Sequence, residues 1–463
     1  MKKIPKEYIF LGVVIILGTV LSVLFCSENP ARLVAILFSF VLLLCFYFFS
    51  KNIFLSSFLY ILIILPFNIT FQLPQNVQIF GNSINLFNPY VEGVYVNYFV
   101  PTISLLDLGA VFFLFSSFLQ NGRKKFAEIF KKYGIVLPLF VIFLLLQNVL
   151  LKDTLSLLNA TRFIIYILMS LSLVEFLKTE KKKYSKTLLF VSIASVLIQG
   201  IIGILQFKNG SSLGLNFLGE SQVVSGMQGS SFVTLGGEVF LRAYGTFPHP
   251  NLFAGYLLYS ILFALSFLNV KEKIIKTLSY ILIAFSATVL LFTFSRISIL
   301  LAILVLIVYL GVKLLRGKVY SFSLPLFFER FVNLFSSGDT SWVDRVNLAK
   351  VSLKVIKENW FSGIGIGNFV KGMEGDVPRS VNSVLLLQPV HNFFLLTFSE
   401  LGLMGFGLYM WLLVRICKKN IVKLTLFSVV VLVCIFVLIF FDHYAFSLPQ
   451  GIMLFFFLFL LLF

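Results

Sequence analysis

Apolar runs long enough to cross a bilayer recur along almost the whole chain, and no soluble fold accommodates that pattern. They lie at roughly 8–26, 32–50, 53–68, 103–120, 134–151, 160–178, 187–206, 252–269, 277–294, 297–312, 391–415, 421–441 and 448–463. In hydrocarbon the backbone has no water to bond, so each run must satisfy its own N–H and C=O groups as a helix. The expected fold is an all-α polytopic membrane protein, with about 12–14 transmembrane helices in a single integral membrane domain over 1–463. Composition agrees, since the 463 residues are 59% hydrophobic and only 12% charged. Met1-Lys2-Lys3 before an apolar run resembles a signal peptide. A second run follows at once with no small-residue cleavage site, so a retained first helix is expected.

The formal charge of +18 does not call for nucleic acid, because the basic residues cluster between spans. Lys2-Lys3, Arg123-Lys124-Lys125 with Lys131-Lys132, Lys181-Lys182-Lys183, Lys271, Lys273 and Lys276, Lys313, Arg316 and Lys318, and Lys418-Lys419 mark the cytoplasmic side. Alternation then puts outer loops at about 69–102, 207–251 and 330–390, and the start of the 391 helix outside. For that parity a short or broken crossing is expected at 319–335, despite Pro325 and Glu329-Arg330. The large outer loop should carry short amphipathic helices: Trp342, Val346, Ala349, Leu353 and Ile356 form a helical stripe flanked by Lys350, Lys354 and Lys357. The four cysteines show neither CxxC nor Cys/His spacing, so no disulfide framework, metal site or cofactor is expected.

Chemistry is expected in the outer segments, where irregular backbone is tolerated. All three histidines, His249, His391 and His443, fall at predicted outer span ends. Arg162, Arg242, Arg296, Arg330, Arg345 and Arg379 lie at the same level. Guanidinium groups bind phosphate oxygens in bidentate fashion, and an imidazole accepts a proton near neutral pH. For any single arginine, interfacial snorkelling is the plainer explanation. His391-Asn392 opens an apolar helix on which Leu395, Phe398, Gly402 and Gly405 share the histidine's face, while Glu400 points the other way. Two glycines on that face would let another helix come close. Gly363-Ile364-Gly365-Ile366-Gly367 reads either as a flexible turn or as a close backbone approach to a ligand. Arg242 precedes Gly245-Thr246-Phe247-Pro248-His249-Pro250-Asn251, part of which is helix capping.

That last string resembles the GTF-x-HPN motif of bacterial O-antigen ligases and O-antigen polymerases (Wzy-type). Thr293-Phe294-Ser295-Arg296 is similar to their T-x-SR junction, and Arg345 ahead of Gly363–Phe369 to their large outer loop. His391-Asn392 followed by Gly402 and Gly405 resembles the ligase signature, and Asp442-His443-Tyr444 with Gln450-Gly451 is similar to some members. The resemblance covers roughly 240–451. It implies a GT-C type fold and a glycosyltransferase that uses an undecaprenyl-pyrophosphate-linked oligosaccharide. The glycan would move to an acceptor hydroxyl of a glycan or glycolipid on the outer face of the bacterial cytoplasmic membrane, without metal or nucleotide. It also implies His391 as the base or orienting residue, with Arg345, and less directly Arg242 and Arg296, at the pyrophosphate. His249, Asn392, Arg162, Asp442 and His443 are further candidates. A protein O-oligosaccharyltransferase would share these signatures. A lipid-linked glycan flippase or transporter should instead show ionisable residues in mid-span and repeat symmetry.

Overall fold

The computed structural model describes residues 5–25, 30–79, 82–224, 227, 230–235, 238–315, 340–380, 383–421 and 424–462. The crossing expected at 319–335 and Arg330 lie outside the described residues. The chain is an all-α polytopic membrane protein. Its first seven helices are α1 (Lys6–Phe25), α2 (Pro30–Ser50), α3 (Ile53–Ile64), α4 (Leu105–Tyr133), α5 (Val136–Leu151), α6 (Thr154–Glu180) and α7 (Ser185–Asn209). Then come α8 (Pro250–Leu265), α9 (Lys273–Phe292), α10 (Arg296–Leu315), α11 (Thr340–Glu358), α12 (Phe393–Asn420), α13 (Leu426–Phe441), α14 (Tyr444–Ser447) and α15 (Pro449–Leu460). Among the described residues 5 helices are long and apolar enough to cross a membrane, or 6 if a bent pair counts as one span. Several other predicted spans are apolar helices of only 10–17 residues.

The short ones explain the architecture. Helices α3, α8 and α15 are apolar almost all round, and every side chain on them except the half-buried Asn251 at the start of α8 is buried. A helix with no polar face has to sit inside the bundle rather than at its water-facing rim. Helix α15 packs on α6, α8 and α13, and α3 on α2, α4 and α7. Gly451 lets α15 close onto the short α14: a Cβ there would stand 2.1 Å from the Tyr444 carbonyl oxygen.

Lysines gather at one end of the bundle, the histidines at the other. Asn420, at the C-terminal end of α12, accepts hydrogen bonds from Lys132 Nζ (2.8 Å) and Lys178 Nζ (3.0 Å) and donates to the Tyr133 hydroxyl. His391 precedes the N-terminus of the same helix. The connections at the histidine end also carry short antiparallel strand pairs, such as Thr70–Gln72 with Thr102–Ser104 and Phe232–Leu235 with Glu238–Leu241. These were not expected from the sequence.

Helix α12 breaks at Gly402, whose φ of 64° is left-handed. A residue with a Cβ is strained there. The break frees backbone groups, and the chain after α11 fills them. Ile364 and Gly365 N–H donate to the Ser399 and Glu400 carbonyls at 3.1 and 2.9 Å, and Leu403 N–H donates to the Trp360 carbonyl at 2.7 Å. The Glu400 carboxylate accepts from Gly367 and Phe369 N–H. The glycine-rich stretch is therefore a clamp on the α12 kink. Gly402 is the bend itself rather than part of a helix-packing face. Gly405 does admit a neighbour, Phe143 of α5. On α11, Leu348, Ser352 and Val355 are buried against the protein, whereas Trp342 and Leu353 of the predicted stripe are exposed.

Candidate active site

Three connections converge at the histidine end. Helix α12 begins with Asn392 as its N-cap, the side-chain Oδ1 accepting from Leu395 N–H at 2.9 Å, and Nδ2 donates to the Phe440 carbonyl at 2.8 Å. Asn392 thus ties the mouth of α12 to the end of α13 and sets His391 beside Asp442. His391 Nδ1 stands 3.6 Å from Asp442 Oδ1, with both side chains mostly buried. At that length the contact is electrostatic, and Nδ1 has no hydrogen-bond partner. Catalytic hydrogen bonds are often this long before substrate arrives and shorten in the complex. The His443 ring lies against His391, centroids 5.1 Å apart.

Hydrogen bonding assigns the neighbouring imidazoles. His249 is the N-cap of α8, its Nδ1 accepting from Asn251 N–H at 3.1 Å, so Nε2 carries the proton toward Ser231 Oγ at 3.3 Å. Burial, then the charge of Arg242, pushes His249 down to about 3. His443 Nδ1 contacts Ser447 Oγ at 2.6 Å, and burial with the charge of His391 pushes it down to about 3. Both rings are neutral at physiological pH. Burial alone would raise the Asp442 carboxyl, but the contact with His391 outweighs it and holds it well below the usual carboxylate range. The site therefore offers an ionised carboxylate facing Nδ1 of His391. That contact favours a proton on Nδ1 and leaves Nε2 as the acceptor.

Two guanidinium groups border this pair. Arg345 Nη1 donates to the Phe441 carbonyl at 2.9 Å, the residue before Asp442. Arg242 Nε donates to the Thr293 carbonyl at 2.7 Å and Nη2 to Asn251 Oδ1 at 2.6 Å. Asn251 Nδ2 in turn faces Asp442 Oδ2 at 3.5 Å. Burial lowers the Arg242 guanidinium to about 10, which still leaves it charged. Arg296 opens α10 and is exposed, within electrostatic reach of Arg242, after a turn in which Phe294 has a φ of 48°. Ligand atoms of His391, Asp442 and His443 come within 4.8 Å of one another, a spacing a metal ion could use. Bordering arginines favour an anion instead.

A cleft opens from this cluster between α8, α10, α13 and α15. Asn251, Ser295, Arg345 and Asp442 line its polar end. Leu252, Ile435, Leu438, Leu454 and Leu458 line the rest, which runs along the helices into the apolar bundle.

Of the residues singled out in the sequence, His391, Asp442, His443, Asn392, His249, Arg242 and Arg345 come together, with Arg296 at the edge. Arg162 does not join them. It is held by Asp107 and Asn159 in a buried ion pair between α4 and α6. Arg379 is exposed and bonds the Ser383 carbonyl. Sequence reasoning passed over Asp344, which precedes Arg345 and lies within electrostatic reach of His391. Its one signal was an acidic residue among apolar and basic ones on α11.

No curated protein matches the chain. Residues 281–410 match the family described as O-antigen ligase. That segment holds Arg296, Arg345, the glycine clamp, His391 and the Gly402 kink, while Arg242 and Asp442 reach the site from outside it. The chain is a multi-pass membrane protein that carries, over those residues, a segment of O-antigen ligase type.

Proposed function

We propose that the protein transfers a glycan from a polyprenyl-pyrophosphate carrier to a sugar hydroxyl, with His391 as general base. The observation that carries this reading is His391 facing an ionised Asp442 at the arginine-bordered mouth of an apolar cleft. The cleft suits an isoprenoid tail, and its polar end suits the diphosphate. Arg345 commits one of its five donors to the Phe441 carbonyl and Arg242 commits two donors, so both keep N–H groups for phosphate oxygens.

In the transfer, the acceptor oxygen attacks the anomeric carbon of the donor sugar. Its proton passes to Nε2 of His391, and the bond from the anomeric carbon to the pyrophosphate oxygen breaks. The imidazolium is stabilised by Asp442 through Nδ1–H, and charge developing on the leaving pyrophosphate is stabilised by Arg345 and Arg242. Arg296, at the edge, suits an outer phosphate oxygen. His249, Asn392 and His443 hold backbone and rings in place. A GT-C type enzyme working without a metal fits these roles. The lysine-rich opposite end supports a site on the outer face of the cytoplasmic membrane. External labelling of a cysteine placed near 128 would reverse that orientation.

The direct test uses purified full-length protein in liposomes, given an undecaprenyl-pyrophosphate oligosaccharide. A core glycolipid, a second donor molecule and a serine-bearing peptide are added separately as acceptors. Product with the glycolipid marks a ligase, with the donor a polymerase, and with the peptide a protein glycosyltransferase. No transfer to any acceptor, together with donor movement across the bilayer, would replace this reading with a flippase.

A further inference from the structure

One carboxylate beside Arg345 has no work in the mechanism above. Asp344 stands directly before Arg345 on α11, and the bond from Arg345 to the Phe441 carbonyl brings this turn of the helix to the Asp442 segment. Asp344 Oδ1 is sealed from solvent and has no hydrogen-bond partner. The two nearby arginines do not supply one: Arg345 bonds the Phe441 carbonyl, and Arg242 bonds the Thr293 carbonyl and Asn251 Oδ1. Burial raises the Asp344 carboxyl above its ordinary range and the charge of His391 opposes that, which sets the two side chains within electrostatic reach of each other.

A buried acceptor atom without a donor is uncommon in a folded protein and calls for an absent partner. What could donate there is limited. His391 presents Nδ1 to Asp442. The pyrophosphate is anionic and would be repelled by a second carboxylate, so the donor's phosphates belong on the arginine side. A sugar hydroxyl is neutral, donates a hydrogen bond, and pairs well with a carboxylate oxygen. We propose that Asp344 is an acceptor-binding residue: its orphaned Oδ1 accepts a hydrogen bond from a hydroxyl of the acceptor sugar and so presents the attacking oxygen to Nε2 of His391. The ligand class is a polyhydroxylated acceptor. No bond to Asp344 forms or breaks in the reaction.

This inference rests on the reading of His391 as base, and the experiment separates the two. Full-length wild type, Asp344→Asn, Asp344→Ala and His391→Ala are compared in liposomes, varying acceptor and donor concentrations independently. Asp344→Ala should raise the acceptor KM about 10- to 100-fold, while the donor KM stays within about twofold. Asp344→Asn keeps the shape but loses the charge, and should fall between. Binding of a fluorescent lipid-pyrophosphate analogue should match wild type in both variants, which checks folding, and the isosteric asparagine carries the test should alanine misfold. An unchanged acceptor KM, or a rise in the donor KM instead, overturns the assignment. With His391→Ala inactive and the Asp344 variants normal, only this inference falls. With His391→Ala active, the proposed mechanism falls and takes Asp344 with it.

Discussion

Two buried polar clusters in this protein each pair a carboxylate with a basic side chain, and they differ in how completely their valences are filled. Between α4 and α6, Arg162 grips Asp107 with Nε at 2.8 Å and Nη2 at 2.9 Å, while Nη1 goes to Asn159 Oδ1. The Thr102 carbonyl accepts a further bond from Nη2. Asp107 also receives the Tyr166 hydroxyl at 2.6 Å and Ser104 N–H at 2.8 Å, closing a capping box at the start of α4. Nothing there is left to offer a substrate. At the mouth of α12, by contrast, His391 Nδ1 and Asp344 Oδ1 have no partner, and Arg345 uses one donor of five. Desolvated polar groups without partners cost stability, and here two of them stand beside charged groups that a ligand could reach, unlike the unpartnered atoms of Gln147 or Tyr409 elsewhere in the bundle. Saturation separates the structural cluster from the functional one better than residue type does.

The comparison breaks most visibly at His391. Replacing it with alanine should lower transfer by roughly 10²–10⁴-fold, with protein level unchanged and lipid-linked donor accumulating. His391→Gln tests the role more finely, since glutamine can orient a hydroxyl but cannot take its proton. Substantial transfer by the glutamine variant would make His391 an orienting group. Asp442→Asn removes the ionised partner of Nδ1 and should also cost about 10²-fold or more. Normal transfer by Asp442→Asn in the liposome assay would mean that the 3.6 Å contact is incidental.

Arg345 comes next. Arg345→Ala removes charge and fork together and should reduce transfer about 10²-fold. Arg345→Lys keeps the charge without the fork and should fall between alanine and wild type. Wild-type polysaccharide from the alanine variant would take Arg345 out of the site.

Arg162 should behave in the opposite way. Removing one partner of a buried pair typically costs about 3–5 kcal/mol, so Arg162→Met should lower thermal stability and membrane yield. The protein that does fold should transfer at nearly the wild-type rate per molecule. A fully stable but inactive Arg162→Met would mean that saturation is no guide to function here.

These contrasts mark where the sequence could be read and where it could not. Spans were legible because hydrocarbon imposes the same length and apolarity on every crossing. The chemical end was legible because histidines and arginines at span ends are dear to keep and the lysines mark the other side. What escaped depends on distant partners. Arg162 looks like any other outer arginine until Asp107, 55 residues away in sequence, is seen to hold it. Gly402 reads as a packing glycine, because its bend exists only with the 360–365 strand of chain bonded into it. Asp344 carries no motif, and its interest is an unfilled oxygen that exists only in the folded chain.

The smallest expected effect concerns the neutral histidines that frame the site. His249 and His443 are each pushed from 6.5 down to about 3 in the folded protein, chiefly by burial. Protonating His249 would also turn Nδ1 from an acceptor into a donor facing Asn251 N–H, undoing the cap of α8. Their folded pKa values lie below the unfolded ones, so the unfolded chain binds more protons between about pH 3 and 6.5. Their contribution to stability is therefore whole above pH 6.5 and declines as pH falls toward 3. Asp442 acts in the same direction but only below its ordinary value of 3.8, which leaves the histidines in charge of the upper part of that window. Purified protein should lose melting temperature steadily as the buffer moves from about pH 6.5 to 4.5. In His249→Asn an amide oxygen can keep the cap, no proton is taken up, and the slope should flatten. A His249→Asn variant with the wild-type slope would show that the ring does not titrate with unfolding, and that the α8 cap tolerates its charge.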